Sequence, residues 1–215
     1  MKLLEDMAEE IGISKLILME NAGLELAKVI QKYYSKYKSK NILIVCGSGN
    51  NGGDGLVCAR YLLEFADEIT ICLINIKGEL KTNEIKKNWD SVEDIKKIKK
   101  VKIFQNNNFT EQFEDEINKS DIIVDALFGT GLNGKLNEQV SFVINQINKS
   151  ESSIVAVDIP SGLDPLDGSI TNNVINAELT VTFHKRKTGL MKKYDITGEI
   201  VVVDIGIPPE LENNL

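Results

Sequence analysis

Asn41-Ile42-Leu43-Ile44-Val45, followed at once by Cys46-Gly47-Ser48-Gly49-Asn50-Asn51-Gly52-Gly53-Asp54-Gly55, decides how this chain is read. A short apolar run that ends in glycines and feeds a helix is where a parallel α/β sheet presents backbone N–H groups to a phosphate. This loop also carries two amides and a carboxylate. A plain phosphate loop has no use for Asp54, which repels an anion unless it turns toward a hydroxyl, a base or a cation. Gly52, Gly53 and Gly55 also have a plain structural reading, a tight turn with close helix approach. The loop lacks the Gly-Lys-Ser/Thr ending of an ATP-binding P-loop, so kinase-like phosphoryl transfer fits poorly. Asparagines occupy the tight turn of the dinucleotide fingerprint. The next apolar run, Glu68–Asn75, ends on Asn75 and not on an acidic ribose ligand, so an ordinary NAD-dependent dehydrogenase is a poor match.

Working outward, apolar periodicity predicts helix and strand in alternation. Met1 to Ile11 reads as a short amphipathic segment broken near Gly12. Ser14 is placed to cap a helix from about Lys15 to Tyr37, with Leu16, Met19, Gly23, Leu26, Ala27 and Ile30 near one face. Within it, Glu20-Asn21-Ala22-Gly23 reads either as a small-residue helix contact or as a route for Asn21 to the first glycine loop. Further helices are predicted for Gly55 to Phe65, Lys81 to Lys99, a segment capped by Thr110 and ending near Asn118, and Leu136 to Asn148. Strands are predicted at 42–45, 68–75, 101–104, 121–125, 153–157, 177–183 and 199–203, with a turn at Asn106-Asn107-Asn108. A structureless tail is expected from about Pro208. The alternation predicts a doubly wound, largely parallel sheet covered on both faces, its last strands added at one edge. No repeat or Pro/Gly linker divides the chain, so residues 1–215 read as a single domain.

Two more strands end in polar or glycine-rich turns: Asp125-Ala126-Leu127-Phe128-Gly129-Thr130-Gly131-Leu132-Asn133-Gly134-Lys135, and Asp158-Ile159-Pro160-Ser161-Gly162-Leu163-Asp164. The C-terminal strand ends of an open parallel sheet share one edge, so these loops are expected to meet the first one there. Asp125 and Asp158 can each cap a local turn. Opposite Asn51 and Asp54, they also offer hard oxygens to a cation, alkali or magnesium alike. Gly129-Thr130-Gly131 with Lys135 reads as an anion cradle or as an exposed loop with a solvated lysine. His184, at the end of an apolar strand, reads as a core-edge residue. Lys185-Arg186-Lys187 reads as a solvated surface patch.

The formal net charge of -7 argues against non-specific nucleic-acid binding. No apolar run reaches membrane-spanning length, and the N-terminus has no signal-peptide layout, so a cytoplasmic location is expected. Cys46, Cys58 and Cys72 match no zinc or redox spacing and read as small buried residues.

Taken together, Asn50-Asn51-Gly52-Gly53-Asp54-Gly55, Val124 through Gly131 and Val157 through Asp164, with Leu18 through Gly23 upstream, resemble the NAD(P)H-hydrate epimerase family. The resemblance covers almost the whole chain. It implies a Rossmann-like three-layer α/β/α sandwich that forms a homodimer. It implies an isomerase that interconverts the R and S epimers at C6 of hydrated NADH and NADPH, working beside an ATP- or ADP-dependent dehydratase that is often fused behind it. The chain would then be a stand-alone epimerase or a piece of such a fusion. By the same resemblance, Asn51, Asp125 and Ser161 match potassium-binding positions. Asn50, Asn51, Gly52, Gly53, Asp54, Gly129, Thr130, Gly131, Leu132, Asn133, Gly134, Lys135 and Asp158 match positions that contact the hydrated dinucleotide. Thr82 departs from an acidic residue common in relatives.

Inversion at C6 requires that carbon to become planar, or the ring to open, and then to re-form from the other face. Both routes move protons on oxygen and need no redox partner. Asp158, held at a central strand end, is the expected acid–base group. The rival is a non-catalytic protein that binds NAD(P) or an ADP-containing ligand.

Overall fold

The computed structural model describes residues 1–74, 78–103, 109–131 and 134–214. Asn75, the turn at 106–108, Leu132, Asn133 and Leu215 lie outside them. Seven strands form one sheet: β1 (Asn41–Cys46), β2 (Glu68–Ile74), β3 (Ile98–Ile103), β4 (Ile122–Ala126), β5 (Ser153–Val157), β6 (Leu179–Phe183) and β7 (Glu199–Val203). Their order is β3-β2-β1-β4-β5-β6-β7, and every neighbouring pair is parallel. The direction of strand succession reverses between β1 and β4. That is the point where an open α/β sheet leaves a crevice beyond its carboxyl ends.

The sheet is apolar on both faces because successive side chains of each strand point oppositely. Ile42 and Ile44 join one core cluster; Leu43 and Val45 join the other. The first cluster is closed by α1 (Lys2–Glu10), α2 (Lys15–Tyr33), α3 (Asn50–Tyr61) and α4 (Asn83–Glu93). The second is closed by α5 (Phe109–Lys119) and α6 (Glu138–Lys149), giving the expected three layers. Ser14 caps α2 by accepting from Ile17 N at 3.3 Å, and Asn137 caps α6 by accepting from Val140 N at 2.8 Å. The buried stripe of α2 (Leu18, Met19, Ala22, Leu26, Ile30) recurs every three or four residues and fixes which side meets the sheet.

Strands at 153–157 and 199–203 fall where the pattern placed them. Other boundaries move. The helix expected from Gly55 begins at Asn50, so the asparagines and glycines form its first turns. Helix α2 ends at Tyr33, and the charged helix expected to reach Lys99 stops at Glu93. Lys99 belongs to β3, and Thr110 lies inside α5 and does not cap it. Residues 209–214 of the expected loose tail form a 3₁₀ helix. The connection from β6 to β7 holds a short helix, Tyr194–Thr197.

Gly47 links β1 to α3 where the backbone passes hard against the loop after β4. Its N–H donates to Ala126 O at 2.9 Å, and a Cβ at this position would lie 1.9 Å from Leu127 O. Gly47→Ala is therefore expected to destabilise by about 1–3 kcal/mol, the usual cost of overpacking. Gly131→Ala, with open space around it among the described residues, should stay within about 0.5 kcal/mol. Denaturant unfolding of both variants checks this; equal stabilities would refute the close approach.

Candidate functional site

The three loops meet. A cavity of about 550 Å³ at the carboxyl edge is lined by Ser48 to Asn51 and Asp54, by Leu127 to Gly131, and by Asp158. That volume lies within the roughly 300–1,000 Å³ of small-molecule and cofactor sites. Helix α1, which the sequence pattern did not attach to the site, contributes Met1, Lys2, Glu5 and Glu9.

One side of the cavity is the start of α3. Its N-cap is Gly49, so no side chain caps the first amides. An uncapped helix N-terminus favours an anion through free N–H groups and the helix dipole. Lys2 and Lys81 line the same space. Lys15 does too, but its ammonium is 2.6 Å from Asp6 and 3.3 Å from Glu9. Lys135 is exposed and is not among the lining residues. Thr82 caps α4 and donates to Asn50 Oδ1 at 2.6 Å, so the departure at this position does touch the site. Asn21 is aimed elsewhere: it donates to Ile205 O at 2.8 Å.

Beneath the loops, Asp125 is completely buried. Its Oδ1 accepts from Ser161 Oγ at 2.7 Å and from Leu127 N at 3.2 Å, and its Oδ2 accepts from Ser161 N at 2.8 Å. Ser161 Oγ in turn accepts from Phe128 N at 2.9 Å. The turn cap read at Asp125 is thus present and also laces the second loop to the third. Burial pushes the Asp125 carboxyl up to about 6, against the lowering effect of its Ser161 and Leu127 hydrogen bonds. Asn51 is buried against Gly129, where a Cβ would come within 2.9 Å of Asn51 Oδ1. Its Nδ2 has no hydrogen-bond partner among the described residues.

Asp158 is held differently from the turn cap expected of it. It follows β5 with φ 65°, a left-handed conformation rare outside glycine. Ile159 N donates to Val157 O at 2.8 Å across it, closing a γ-turn of the strained hand. The turn swings the carboxylate over the end of β6. There Oδ1 accepts from Phe183 N at 3.1 Å, from Thr182 Oγ1 at 3.2 Å and from Lys187 Nζ. Lys187 is half-buried and donates also to Thr182 Oγ1 and Phe183 O, both at 3.0 Å. The surface reading of Lys185-Arg186-Lys187 therefore fails at Lys187. A signal was available: β6 is parallel to β5, so the segment after Phe183 had to emerge at the same edge as the three loops. His184 repeats the left-handed turn at φ 65°, and its Nε2 lies 2.9 Å from Glu212 Oε1, away from the cavity lining. All three cysteines are buried, with their thiols pushed up by desolvation.

Asp158 Oδ2 makes no hydrogen bond among the described residues, and the side chain lines the cavity. The arrangement offers one open carboxylate oxygen to a ligand while Lys187 and two further donors fix the other.

Comparison with known proteins gives four findings. The family model described as YjeF-related protein N-terminus matches residues 15–189. The NAD(P)H-hydrate epimerase of Nitrosopumilus maritimus is 40% identical over 99% of this chain and 95% of its own length. The bifunctional NAD(P)H-hydrate repair enzyme Nnr of Archaeoglobus fulgidus is 42% identical, again over 99% of this chain but only 42% of its own length. The crystal structure of yeast ynu0, YNL200c, superposes with a TM-score of 0.81 at 26% identity, covering 99% of this chain and 89% of that one.

Lys187→Met is expected to leave Asp158 as a buried, unpaired charge and to cost about 3–5 kcal/mol at neutral pH. Adding Asp158→Asn should recover much of that loss. Urea unfolding of the single and double variants measures it; identical losses would show that the ion pair does not hold this turn.

Proposed function

The chain belongs to the YjeF-related protein N-terminus family, and from that premise we propose that it epimerises hydrated NADH and NADPH at C6. The observation that carries the proposal is Asp158: a carboxylate with one oxygen fixed by three donors and the other open to a cavity of cofactor size. It is not what a passive nucleotide grip needs, since a carboxylate repels phosphate.

The dinucleotide's diphosphate belongs at the uncapped start of α3, with Lys81 and Lys2 nearby. The hydrated ring then lies toward Asp54 and Asp158. The ring nitrogen pushes electrons toward C6 as the hydroxyl departs, leaving a planar, iminium-like carbon. Water returns to the opposite face. Asp158 moves the proton on oxygen, and its negative charge stabilises the cationic ring. The half-buried Lys187 keeps the carboxylate in position.

Potassium fits the oxygens beneath the loops. Asp125 is fully buried with no cationic side chain paired to it among the described residues. Ser161 Oγ lies 2.7 Å from it, with the Phe128 carbonyl 3.2 Å from that hydroxyl, and the amide of Asn51 stands against Gly129 of the same loop. One carboxylate with neutral hard oxygens suits a cation of low charge density. Bound there, the ion would neutralise Asp125 and stiffen both loops. A dehydratase that consumes one epimer is the natural partner, in keeping with the bifunctional name of the Archaeoglobus fulgidus relative.

Asp158→Asn should fold and bind hydrated dinucleotide yet interconvert the epimers roughly 10²–10⁴-fold more slowly, the scale of positioned acid–base catalysis. Chromatography of purified R and S hydrates, corrected for the uncatalysed rate, gives the number. Near-normal turnover would remove Asp158 from the chemistry; lost affinity with turnover preserved at saturation would make it a ligand anchor.

Potassium should raise the thermal stability of the wild-type protein and leave Asp125→Ala unmoved. Melting curves across a potassium titration check this. Equal responses would take Asp125 out of the ion site.

A further inference from the structure

Asp158 is not the only acid facing the cavity. Asp54, at the fifth residue of α3, lines it from one side and Glu5 of α1 lines it too. The two aspartates differ in their partners. Asp158 Oδ1 carries the Lys187 ammonium and two further donors. Asp54 makes no hydrogen bond or ion pair among the described residues, and it is half-buried in the cavity lining.

We propose that Asp54 is the proton donor to the departing C6 oxygen, and that Asp158, which lines the same cavity, takes the proton from the incoming water. This rests on the epimerase reading above. The Asp54 carboxyl gives its proton to the C6 hydroxyl. The C6–O bond breaks, its electron pair leaves with water, and the N1 lone pair forms the C6–N1 double bond. A second water then adds to the opposite face of C6. Its proton passes to the Asp158 carboxylate as the new C6–O bond forms and the double-bond pair returns to N1. One turnover leaves Asp54 ionised and Asp158 protonated, and exchange with solvent water resets them. The reverse reaction exchanges their roles.

The surroundings favour a neutral Asp54. Desolvation, then the charges of Asp158 and Glu5, push its carboxyl well above the usual range, and only Lys187 among these neighbours works the other way. Glu5 is itself raised, chiefly by burial. Cys46 and Cys58 near Asp54 stay as thiols. The other charged groups lining the cavity are Lys2, Glu9, Lys15, Lys81 and Glu84. Acids and bases that share a site are recognised by environments that drive their proton affinities apart.

The test is Asp54→Asn, read in four ways. Interconversion of purified R and S hydrates should fall roughly 10²–10⁴-fold with binding retained. In the wild type, kcat/KM should decline as pH rises through the elevated value of Asp54, because the donor must be protonated; in the variant that alkaline limb should vanish. An acid raised in the folded state stabilises it below its unfolded value and loses that contribution as pH rises through the folded one. The variant should therefore be at least as stable as the wild type in mildly alkaline solution. Wild-type epimer formed in heavy-oxygen water should carry the label, since the C6–O bond breaks. Unchanged turnover, a surviving alkaline limb, a variant that unfolds more readily, or unlabelled epimer would each overturn the assignment. A wild-type protein with no interconversion at all overturns the epimerase reading beneath it, an outcome distinct from failure of Asp54 alone.

Discussion

Asp158 sits at φ 65° in a γ-turn that an isolated chain would rarely hold, and the half-buried Lys187 pairs with the carboxylate that this turn presents. Left-handed non-glycine backbone costs on the order of 1–3 kcal/mol and persists only when its surroundings over-determine it. Here they do. Phe183 N, Thr182 Oγ1 and Lys187 Nζ all converge on one carboxylate oxygen, and Lys187 is itself fixed by Thr182 and by the Phe183 carbonyl. The strain is what turns the carboxylate toward the cavity. Had residue 158 continued the strand, its side chain would have faced one of the packed layers.

The same economy governs the floor of the site. Asp125 is a buried carboxylate whose oxygens are shared between the backbone of its own loop and Ser161 of the next. Ser161 Oγ in turn accepts a hydrogen bond from Phe128 N. Two loops that are far apart in sequence thereby become one surface. Gly47 joins the first loop to it by bringing the start of α3 against Ala126 and Leu127. The strand reversal between β1 and β4 supplies the crevice, and these polar links give it fixed walls.

Much of this was legible because it depends on short-range pattern. Alternating apolar runs gave the layers, strand ends gave the shared edge, and three loops rich in glycine, amide and carboxylate gave the site's location. What was not legible depends on contacts across the fold. Helix α3 starts at Asn50 because its glycines pack against β4 and Met19, a tertiary gain that overrides their poor helix propensity. Lys187 lies 29 residues from Asp158 and reaches it only after the chain reverses at His184. Composition alone leaves such a lysine looking solvated. Helix α1 reads as an amphipathic segment, yet Lys2, Glu5 and Glu9 line the cavity, Glu5 half-buried there while Lys2 and Glu9 stay exposed. Nothing in a local window distinguishes those two environments.

The account stands or falls on whether this cavity inverts a carbon or only holds a nucleotide. The direct measurement starts from each pure hydrate in turn and follows the approach to equilibrium with and without the protein. The account predicts that both reactions converge on one R:S mixture, faster than in buffer alone, with intact NADH unchanged. Binding of either hydrate without any acceleration of its conversion would contradict it and make the molecule a nucleotide-binding protein built on the same frame.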